Sequence, residues 1–331
     1  MLHRWTIKSL LNLACLVVAL LVPPTSGYAA KLQPGDLANI ENACAAAVGK
    51  NTKEYYQCLQ EEMTKLAAQP DSAPNNSGNQ MPQATSPSNE FITTFDAGAI
   101  SPPHQDAHIT YNLNPTAERF YIHIPAAASS STRFGLLVYI PPTEQIIALP
   151  EDWADVLDQR NLLFIAPLNA GNNQISSRRL GLAVLAALEM MRYYQIDPQR
   201  VYVSGLSGGA RMAGLLGFYQ PDVFHGTIQN CGADFYQPVP KVLAQSEVDT
   251  NGGPYGIFDA TPDEINQAQR VRFALITGSG DFRHGNILDI YNGGFANSGL
   301  RAKLFDVKGM GHRTADATTL SAALDFVETG R

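Results

Sequence analysis

Short apolar runs alternate with longer helical segments over the C-terminal two thirds of the chain. Residues 180–194 are apolar on nearly every face and predict a helix packed on a sheet. A further helix is expected to start near Gly208, and a last one to begin with Asp316 as its N-cap. The predicted strands cover residues 119–124, 136–140, 162–166, 201–204, 227–229, 273–277 and 302–307. This alternation predicts an α/β fold, a mostly parallel sheet covered by helices on both faces.

The first 29 residues have the pattern of an export signal. Basic residues precede an apolar stretch at 10–22, two prolines end it, and small residues precede a cut after Ala29. A membrane-spanning helix needs about 20 apolar residues, so this stretch is too short to span. We therefore predict a signal peptide at 1–29, with an uncleaved anchor as the alternative. The mature chain is expected to be exported to the periplasm or the medium, without a transmembrane segment.

Residues 30–68 have helical apolar spacing and contain two cysteines. On one straight helix Cys44 and Cys58 would lie about 21 Å apart, whereas a disulfide requires Cα atoms within about 7 Å. The sequence Gly-Lys-Asn-Thr at 49–52 supplies a turn between them. Because export permits disulfides, we predict a helical hairpin closed by a Cys44–Cys58 bond. Zinc is the weaker alternative because no histidine lies nearby, and Cys231 is expected to be a buried free thiol.

A change in composition separates this hairpin from the rest of the chain. Residues 69–90 mix proline with serine, asparagine, glutamine and glycine and show no apolar periodicity. Such a segment buries too little surface to offset its ordering entropy, which predicts a flexible linker. One long compact domain is then expected over residues 91–331.

Composition and charge exclude several classes of function. Of 331 residues, 45% are apolar and 16% are charged, which is enough apolar material for a large core. The net charge is −7, and no run of Lys or Arg occurs. A nucleic-acid-binding protein would show a basic patch or stripe, so nucleic acid is not expected as a partner.

The pentapeptide Gly-Leu-Ser-Gly-Gly at 205–209 matches the pattern G-x-S-x-G. The bare pattern is weak, but here it follows a predicted strand and opens a predicted helix, the setting that a nucleophile elbow requires. A sharp turn there lifts the hydroxyl of Ser207 above the strand end, and small neighbours let strand and helix approach closely. We therefore predict Ser207 as a nucleophile, against the alternative of a glycine-rich turn with an uninvolved serine.

A serine nucleophile needs a base and an acid, which follow it in the order Ser, acid, His on this type of fold. His312 follows the strand at 302–307 and precedes the last helix, so it is the expected base. Asp281 follows the strand at 273–277 and is the expected acid. Asp234, after the preceding strand, is the first alternative, and Asp289 is a weaker one.

An oxyanion hole needs two donors aimed at the tetrahedral oxygen. The backbone N–H of Gly208 is the expected first donor. The second should come from the loop after residues 136–140, where Pro141 and Pro142 have no N–H. Thr143 is then the first available donor. No metal-ligand spacing or phosphate-binding glycine loop occurs, so no cofactor or metal is expected.

Four segments carry a resemblance to a known family, from about residue 119 to the C-terminus. They are Leu-Leu-Val-Tyr-Ile-Pro at 136–141, Asp-Pro-Gln-Arg-Val-Tyr-Val-Ser-Gly-Leu-Ser-Gly-Gly-Ala-Arg-Met-Ala at 197–213, Ala-Leu-Ile-Thr-Gly-Ser-Gly-Asp at 274–281 and Gly-Met-Gly-His at 309–312. The region resembles the α/β-hydrolase superfamily, and within it the secreted polyhydroxybutyrate depolymerases, feruloyl esterases and acetylxylan esterases. The resemblance implies Ser207 as nucleophile, Asp281 as acid and His312 as base. Where the family usually has His-Gly after its third strand, this chain has Pro141-Pro142.

These observations predict a secreted serine hydrolase that cleaves small or polymeric carboxylic esters through an acyl-enzyme. A serine peptidase on the same scaffold is an alternative. Another is a non-catalytic protein that retains the fold and uses its hairpin to bind an envelope partner.

The segment at residues 235–270 is too long for a plain turn. It is expected to form part of a cap whose aromatic residues line a pocket, or else a surface excursion.

Overall fold

The computed structural model describes residues 89–96, 101–126, 133–146, 148–150, 152–243 and 256–330. The chain divides into two compact units, Met1–Ser77 and Gly78–Arg331, and every described residue belongs to the second. The predicted signal peptide, the helical hairpin with Cys44 and Cys58, and most of the predicted linker lie outside the described residues.

The second unit is organised around an eight-stranded sheet. Its strands are β1 (Glu90–Thr93), β2 (Phe120–His123), β3 (Phe134–Ile140), β4 (Leu162–Pro167), β5 (Ile196–Leu206), β6 (Gly226–Asn230), β7 (Arg272–Gly280) and β8 (Arg301–Gly311). Their order in the sheet is β1-β2-β4-β3-β5-β6-β7-β8. Strand β2 is antiparallel to β1 and β4, whereas the consecutive pairs from β4 through β3, β5, β6 and β7 to β8 are parallel. The mostly parallel sheet predicted from the sequence is therefore confirmed.

Helices cover both faces of this sheet. They are α1 (Trp153–Gln159), α2 (Ser176–Tyr193), α3 (Gly208–Tyr219), α4 (Pro240–Leu243), α5 (Pro262–Ala268), α6 (His284–Gly293) and α7 (Ala317–Thr329), with a 3-10 turn at Phe295–Asn297. Successive residues of a strand point to opposite faces, and β3 shows this division. Leu136 and Val138 belong to one buried apolar cluster with residues of α2 and α3, whereas Leu137 and Tyr139 belong to a second cluster with residues of α1 and α7.

Several boundaries differ from the sequence prediction. Strand β8 continues to Gly311 instead of ending at 307, because its glycine-rich end pairs with the end of β7 through Gly280. Strand β1 was not predicted from the sequence, because its four residues are all half-buried and form no clear apolar pattern. The predicted cap at Asp316 is confirmed, since its carboxylate accepts a hydrogen bond of 2.8 Å from the backbone N–H of Thr319. Among the described residues, none of the helices combines the length and apolar character needed to cross a bilayer.

The segment 235–270 is described at both of its ends. The first part contains α4, and the second contains α5, which begins with a capping box between Thr261 and Glu264. Phe235 is buried, and its ring lies 5.0 Å from that of Phe295. The expectation that the aromatic residues of this segment line a pocket is therefore wrong for Phe235, because its ring is part of the apolar core.

Candidate active site

Ser207 stands at the turn between β5 and α3 with φ 57° and ψ −120°, a backbone conformation that residues with a side chain rarely adopt. The flanking glycines permit this turn. A Cβ at Gly205 would lie 2.3 Å from the carbonyl carbon of Gly209, and a Cβ at Gly209 would lie 1.9 Å from the carbonyl oxygen of Ile140. The strand–turn–helix setting predicted for the pentapeptide is thus present, and its glycines are required by close backbone packing.

The predicted site residues follow the carboxyl ends of strands that run parallel. Ser207 follows β5, Asp281 follows β7 and His312 follows β8. In an open α/β sheet, parallel strands end at one common edge, which is where ligands bind. Residues about a hundred positions apart in the sequence therefore lie at the same edge of the sheet.

Asp281 and His312 form a hydrogen-bonded pair. The Nδ1 atom of His312 lies 2.7 Å from Oδ1 of Asp281. The other carboxylate oxygen accepts a hydrogen bond of 2.8 Å from the buried hydroxyl of Thr277, and Oδ1 accepts one of 2.9 Å from the backbone N–H of Arg283. With Nδ1 facing Asp281, Nε2 is the ring nitrogen that can exchange a proton with a hydroxyl.

The environment of Asp281 favours its charged form. Burial alone would raise the pKa of this carboxyl group, but the hydrogen bonds from His312, the Arg283 N–H and Thr277 outweigh that effect and lower its pKa below the ordinary value. An ionised carboxylate accepts the Nδ1–H of the imidazole and fixes the ring orientation, which is the arrangement that acid–base chemistry at Nε2 requires.

Asp234, the first alternative acid, pairs with a different residue. Nε of Arg211 lies 2.8 Å from each of its two carboxylate oxygens, and the backbone N–H of Gly256 donates to Oδ1 over 3.0 Å. Both members of the pair are buried. Asp234 therefore joins α3 to the segment after β6. Asp289, the weaker alternative, lies on α6, 3.5 Å from the amino group of Lys241.

Asn230, at the end of β6, contacts both the Ser207 turn and the segment after His312, and Cys231, the next residue, contacts the segment around His312. The carbonyl oxygen of Asn230 accepts a hydrogen bond of 2.9 Å from the N–H of Ser207. Its side-chain amide donates to the carbonyl of Gly205 over 2.9 Å, and its Oδ1 accepts the N–H of Ala315 at 3.0 Å. The next residue, Cys231, places Sγ 3.3 Å from the carbonyl oxygen of Arg313 and 3.7 Å from that of Gly311.

The thiol of Cys231 is suited to this supporting contact. Cys231 is buried, as predicted, and its burial together with the nearby Asp281 raises its pKa to about 12. The group therefore stays protonated, and its single S–H proton can donate to one of the two carbonyl oxygens beside His312, the nearer being that of Arg313. The sequence prediction missed the parts played by Asn230 and Thr277. In the sequence, a polar residue inside an apolar strand carries no sign of its partner.

The predicted oxyanion donors lie at the same edge of the sheet. Gly208 opens α3 directly after Ser207, and Thr143 lies in the loop after β3. That loop packs on the loop after β4, since the N–H of Asn172 donates to the carbonyl of Pro142 over 2.9 Å. Thr143 is exposed, and its hydroxyl donates to the carbonyl of Gln145 over 2.8 Å.

Two groups of described side chains have donor atoms close enough together to hold a metal ion. The first consists of Cys231, Asp281 and His312, with donor atoms within 4.8 Å of one another. Two of its members already form the hydrogen-bonded pair described above. The second consists of Asp106, His108 and Glu264. Within it, Asp106 accepts hydrogen bonds from both the backbone and the ring of His108.

Comparison with known proteins finds one informative sequence relative. A segment of the chain is 34% identical over 96 residues to a poly(3-hydroxybutyrate) depolymerase of Ralstonia pickettii, and the match covers 24% of this chain and 20% of that protein. The chain thus matches about one fifth of the length of this curated relative. A search against protein-family models finds no match.

Solved structures with a similar fold include two enzymes named for ester substrates. A ferulic acid esterase has 19% identity and a TM-score of 0.48 and is matched over 64% of this chain and 92% of its own. A poly(3-hydroxybutyrate) depolymerase from Bordetella parapertussis has 17% identity and a TM-score of 0.46, with 65% and 84% covered. The strand order and the turn at Ser207 give the chain an α/β-hydrolase-like fold, and one segment of it is similar to the Ralstonia depolymerase.

Proposed function

We propose that this protein is an exported serine hydrolase that cleaves carboxylic esters through Ser207, His312 and Asp281. The single observation that carries the proposal is the 2.7 Å contact between His312 and Asp281 at the sheet edge where Ser207 stands on its strained turn. The sequence relative supports the ester class, because its name gives a polyester as its substrate.

In the proposed reaction, Nε2 of His312 accepts the proton of the Ser207 hydroxyl while Oγ attacks the ester carbonyl carbon. The negative charge that forms on the carbonyl oxygen is stabilised by the N–H groups of Gly208 and Thr143. His312 then gives its proton to the leaving alcohol oxygen as the carbon–oxygen bond breaks. Asp281 stays ionised throughout and stabilises the imidazolium ion.

Water completes the cycle. It attacks the acyl carbon of the acyl-enzyme while His312 accepts one of its protons. The bond to Ser207 Oγ then breaks, Oγ takes the proton back from His312, and the carboxylic acid leaves. No further co-reactant is needed, because each proton removed in one half of the cycle is returned in the same half.

The test is hydrolysis of a panel of p-nitrophenyl esters by the wild type and by Ser207→Ala, together with labelling by a fluorophosphonate probe. We expect the wild type to hydrolyse at least one ester and to be labelled at Ser207, and the variant to lose both properties. Ser298→Ala, in the turn after the 3-10 segment, is the matched control and should retain both.

The same preparation distinguishes the competing functions. Faster cleavage of aminoacyl amides than of the matching esters would indicate a peptidase. Absence of Ser207-dependent labelling and hydrolysis would indicate a non-catalytic protein. Export is tested separately by the intact mass of the protein recovered from the periplasm or medium, which we expect to begin at Ala30.

A further inference from the structure

We propose that Arg179 positions the oxyanion hole, compensating for the two prolines that follow β3. The inference rests on the proposed hydrolase function and extends it to a residue outside the Ser-His-Asp set. Arg179 lies in the first turn of α2 and is 1% exposed, so its guanidinium group is enclosed by protein. An arginine is almost never fully buried unless its donors are satisfied.

The guanidinium group connects the segments that follow two neighbouring strands. Its Nε donates to the carbonyl oxygen of Ala170, after β4, over 2.7 Å. Its Nη2 donates to the carbonyl oxygen of Pro141, directly after β3, over 3.1 Å. The planar fork of an arginine fixes the angle between two such acceptors, which the single ammonium group of a lysine does not.

The same group also lies beside the first oxyanion donor. Nη1 of Arg179 is 3.3 Å from the position that a Cβ on Gly208 would occupy, and Oδ1 of Asn172 is 2.2 Å from that position. Arg179 therefore touches the surroundings of Gly208 and the base of the loop that carries Thr143. These are the two segments whose N–H groups must point at one substrate oxygen.

The chemistry of the loop explains why it needs an outside donor. Pro141 and Pro142 have no N–H, so this part of the loop can be held only through its carbonyl oxygens. Arg179 holds the first carbonyl and the backbone N–H of Asn172 holds the second, at 2.9 Å. In addition, a buried positive charge this close to Gly208 favours a developing anion more than it would in water.

The test compares Arg179→Lys and Arg179→Gln with the wild type on an ester and on its thionoester, in which sulfur replaces the carbonyl oxygen. Misplacing an oxyanion donor costs about 10- to 100-fold in kcat, so we expect a fall of that size with KM changed by less than about threefold. Sulfur interacts poorly with the donors in every variant. The ester-to-thionoester ratio of kcat/KM should therefore shrink by a similar factor.

This ratio separates positioning from a purely structural role. Loss of folded protein lowers the rates on both substrates equally and leaves the ratio unchanged. Arg178→Lys is the matched control, because Arg178 is the neighbouring residue on α2 and pairs with Glu118 at 2.8 Å. Its ratio should equal that of the wild type.

The outcomes distinguish this inference from the function on which it rests. If the wild type is not labelled by a fluorophosphonate at Ser207, both proposals fail. If the wild type is labelled and active but the Arg179 variants keep the wild-type ratio, only the role of Arg179 is overturned. Two variants are used so that the failure of one to fold leaves the other to decide.

Discussion

The ring of Phe282 packs against the imidazole of His312 in a tilted arrangement, with centroids 4.1 Å apart and planes at 35°. Phe282 directly follows Asp281 and is 71% exposed, which makes it one of two large apolar side chains that are exposed in the described part of the chain. The guanidinium group of Arg283 lies 5.2 Å from the centre of the same ring. An apolar ring held on the proposed base and open to solvent is available to contact an apolar part of a substrate.

Replacing Phe282 by alanine should therefore weaken binding of bulky substrates. Burying an aromatic side chain is worth about 1.5–3 kcal/mol, so KM for esters of long or aromatic acids should rise about 10- to 100-fold. KM for the corresponding acetate should change little. Steady-state kinetics on a series of p-nitrophenyl esters measures this, with Phe282→Leu as a control that keeps an apolar side chain. Equal changes for acetate and for long acyl esters would contradict the prediction.

The assignment of the acid is tested by a pair of asparagine substitutions. Asp281→Asn leaves Nδ1 of His312 without its carboxylate, so kcat should fall by about 10³- to 10⁴-fold with little loss of folded protein. Asp234→Asn instead disturbs the buried pair with Arg211, which should reduce stability by about 3–5 kcal/mol. Its folded fraction should keep a kcat close to that of the wild type. Kinetics combined with urea unfolding distinguishes the two, and the opposite pattern would make Asp234 the acid.

Thr277→Val should change the acid dependence of stability through Asp281. The pKa of Asp281 is lowered in the folded protein, so its contribution is fully present above the unfolded pKa of about 3.9 and is lost as the pH falls through the folded value. Removing the Thr277 hydroxyl removes one hydrogen bond to the carboxylate and should cost about 1.5–3 kcal/mol near neutral pH.

The difference between Thr277→Val and the wild type should shrink as Asp281 becomes protonated. Urea unfolding at several pH values measures it, and Thr277→Ser, which keeps the hydroxyl, is the control. A difference that stays constant down to the acid transition would show that Thr277 acts through packing alone.

His123 should contribute stability at acidic pH. It lies between Glu90 of β1, at 3.5 Å, and Asp158 of α1, at 2.9 Å. Burial alone would lower its pKa, but the contacts with Glu90 and Asp158 outweigh burial and raise it. Because the folded pKa is raised, this stability is fully present below the unfolded pKa of about 6.5 and is lost as the pH rises through the folded value.

His123→Gln should accordingly destabilise the protein by about 1–3 kcal/mol below that pH and by less at alkaline pH. Chemical unfolding across the pH range gives the comparison. His284→Gln is the matched control, since His284 pairs with Asp306 at 2.9 Å on a more exposed surface. A loss that grows with rising pH would contradict the assignment.

Cys231 should be unreactive in the native protein. Its thiol is buried and its pKa is raised to about 12, so almost no thiolate is present to react with iodoacetamide. Labelling should appear only on unfolding. Cys231→Ala removes the donor to the carbonyls around His312 and should lower kcat about threefold to tenfold, whereas Cys231→Ser keeps a donor and should lose less. Rapid native labelling would contradict the buried position.

The sequence predicted those structural elements that depend on a pattern of neighbouring residues. Apolar runs predicted most of the strands, and the pentapeptide around Ser207 predicted a strand–turn–helix junction because the glycines themselves make the close approach possible. The positions of Asp281 and His312 after two further strands made them the expected acid and base, since parallel strands all end at one edge. Asp234 stayed an alternative acid, because it also follows such a strand. By contrast, strand β1 was missed because four residues carry too little periodicity.

What only the tertiary structure decided is which distant side chains meet. Arg211 and Asp234 are 23 residues apart, and Arg179 and Pro141 are 38 apart. No periodicity links them, because such pairs depend on how strands are ordered in the sheet and on the paths of the loops between them. The contacts of the buried Arg179 with the proline-containing loop could therefore be found only in the tertiary structure. The same holds for the contacts of the Cys231 thiol beside His312.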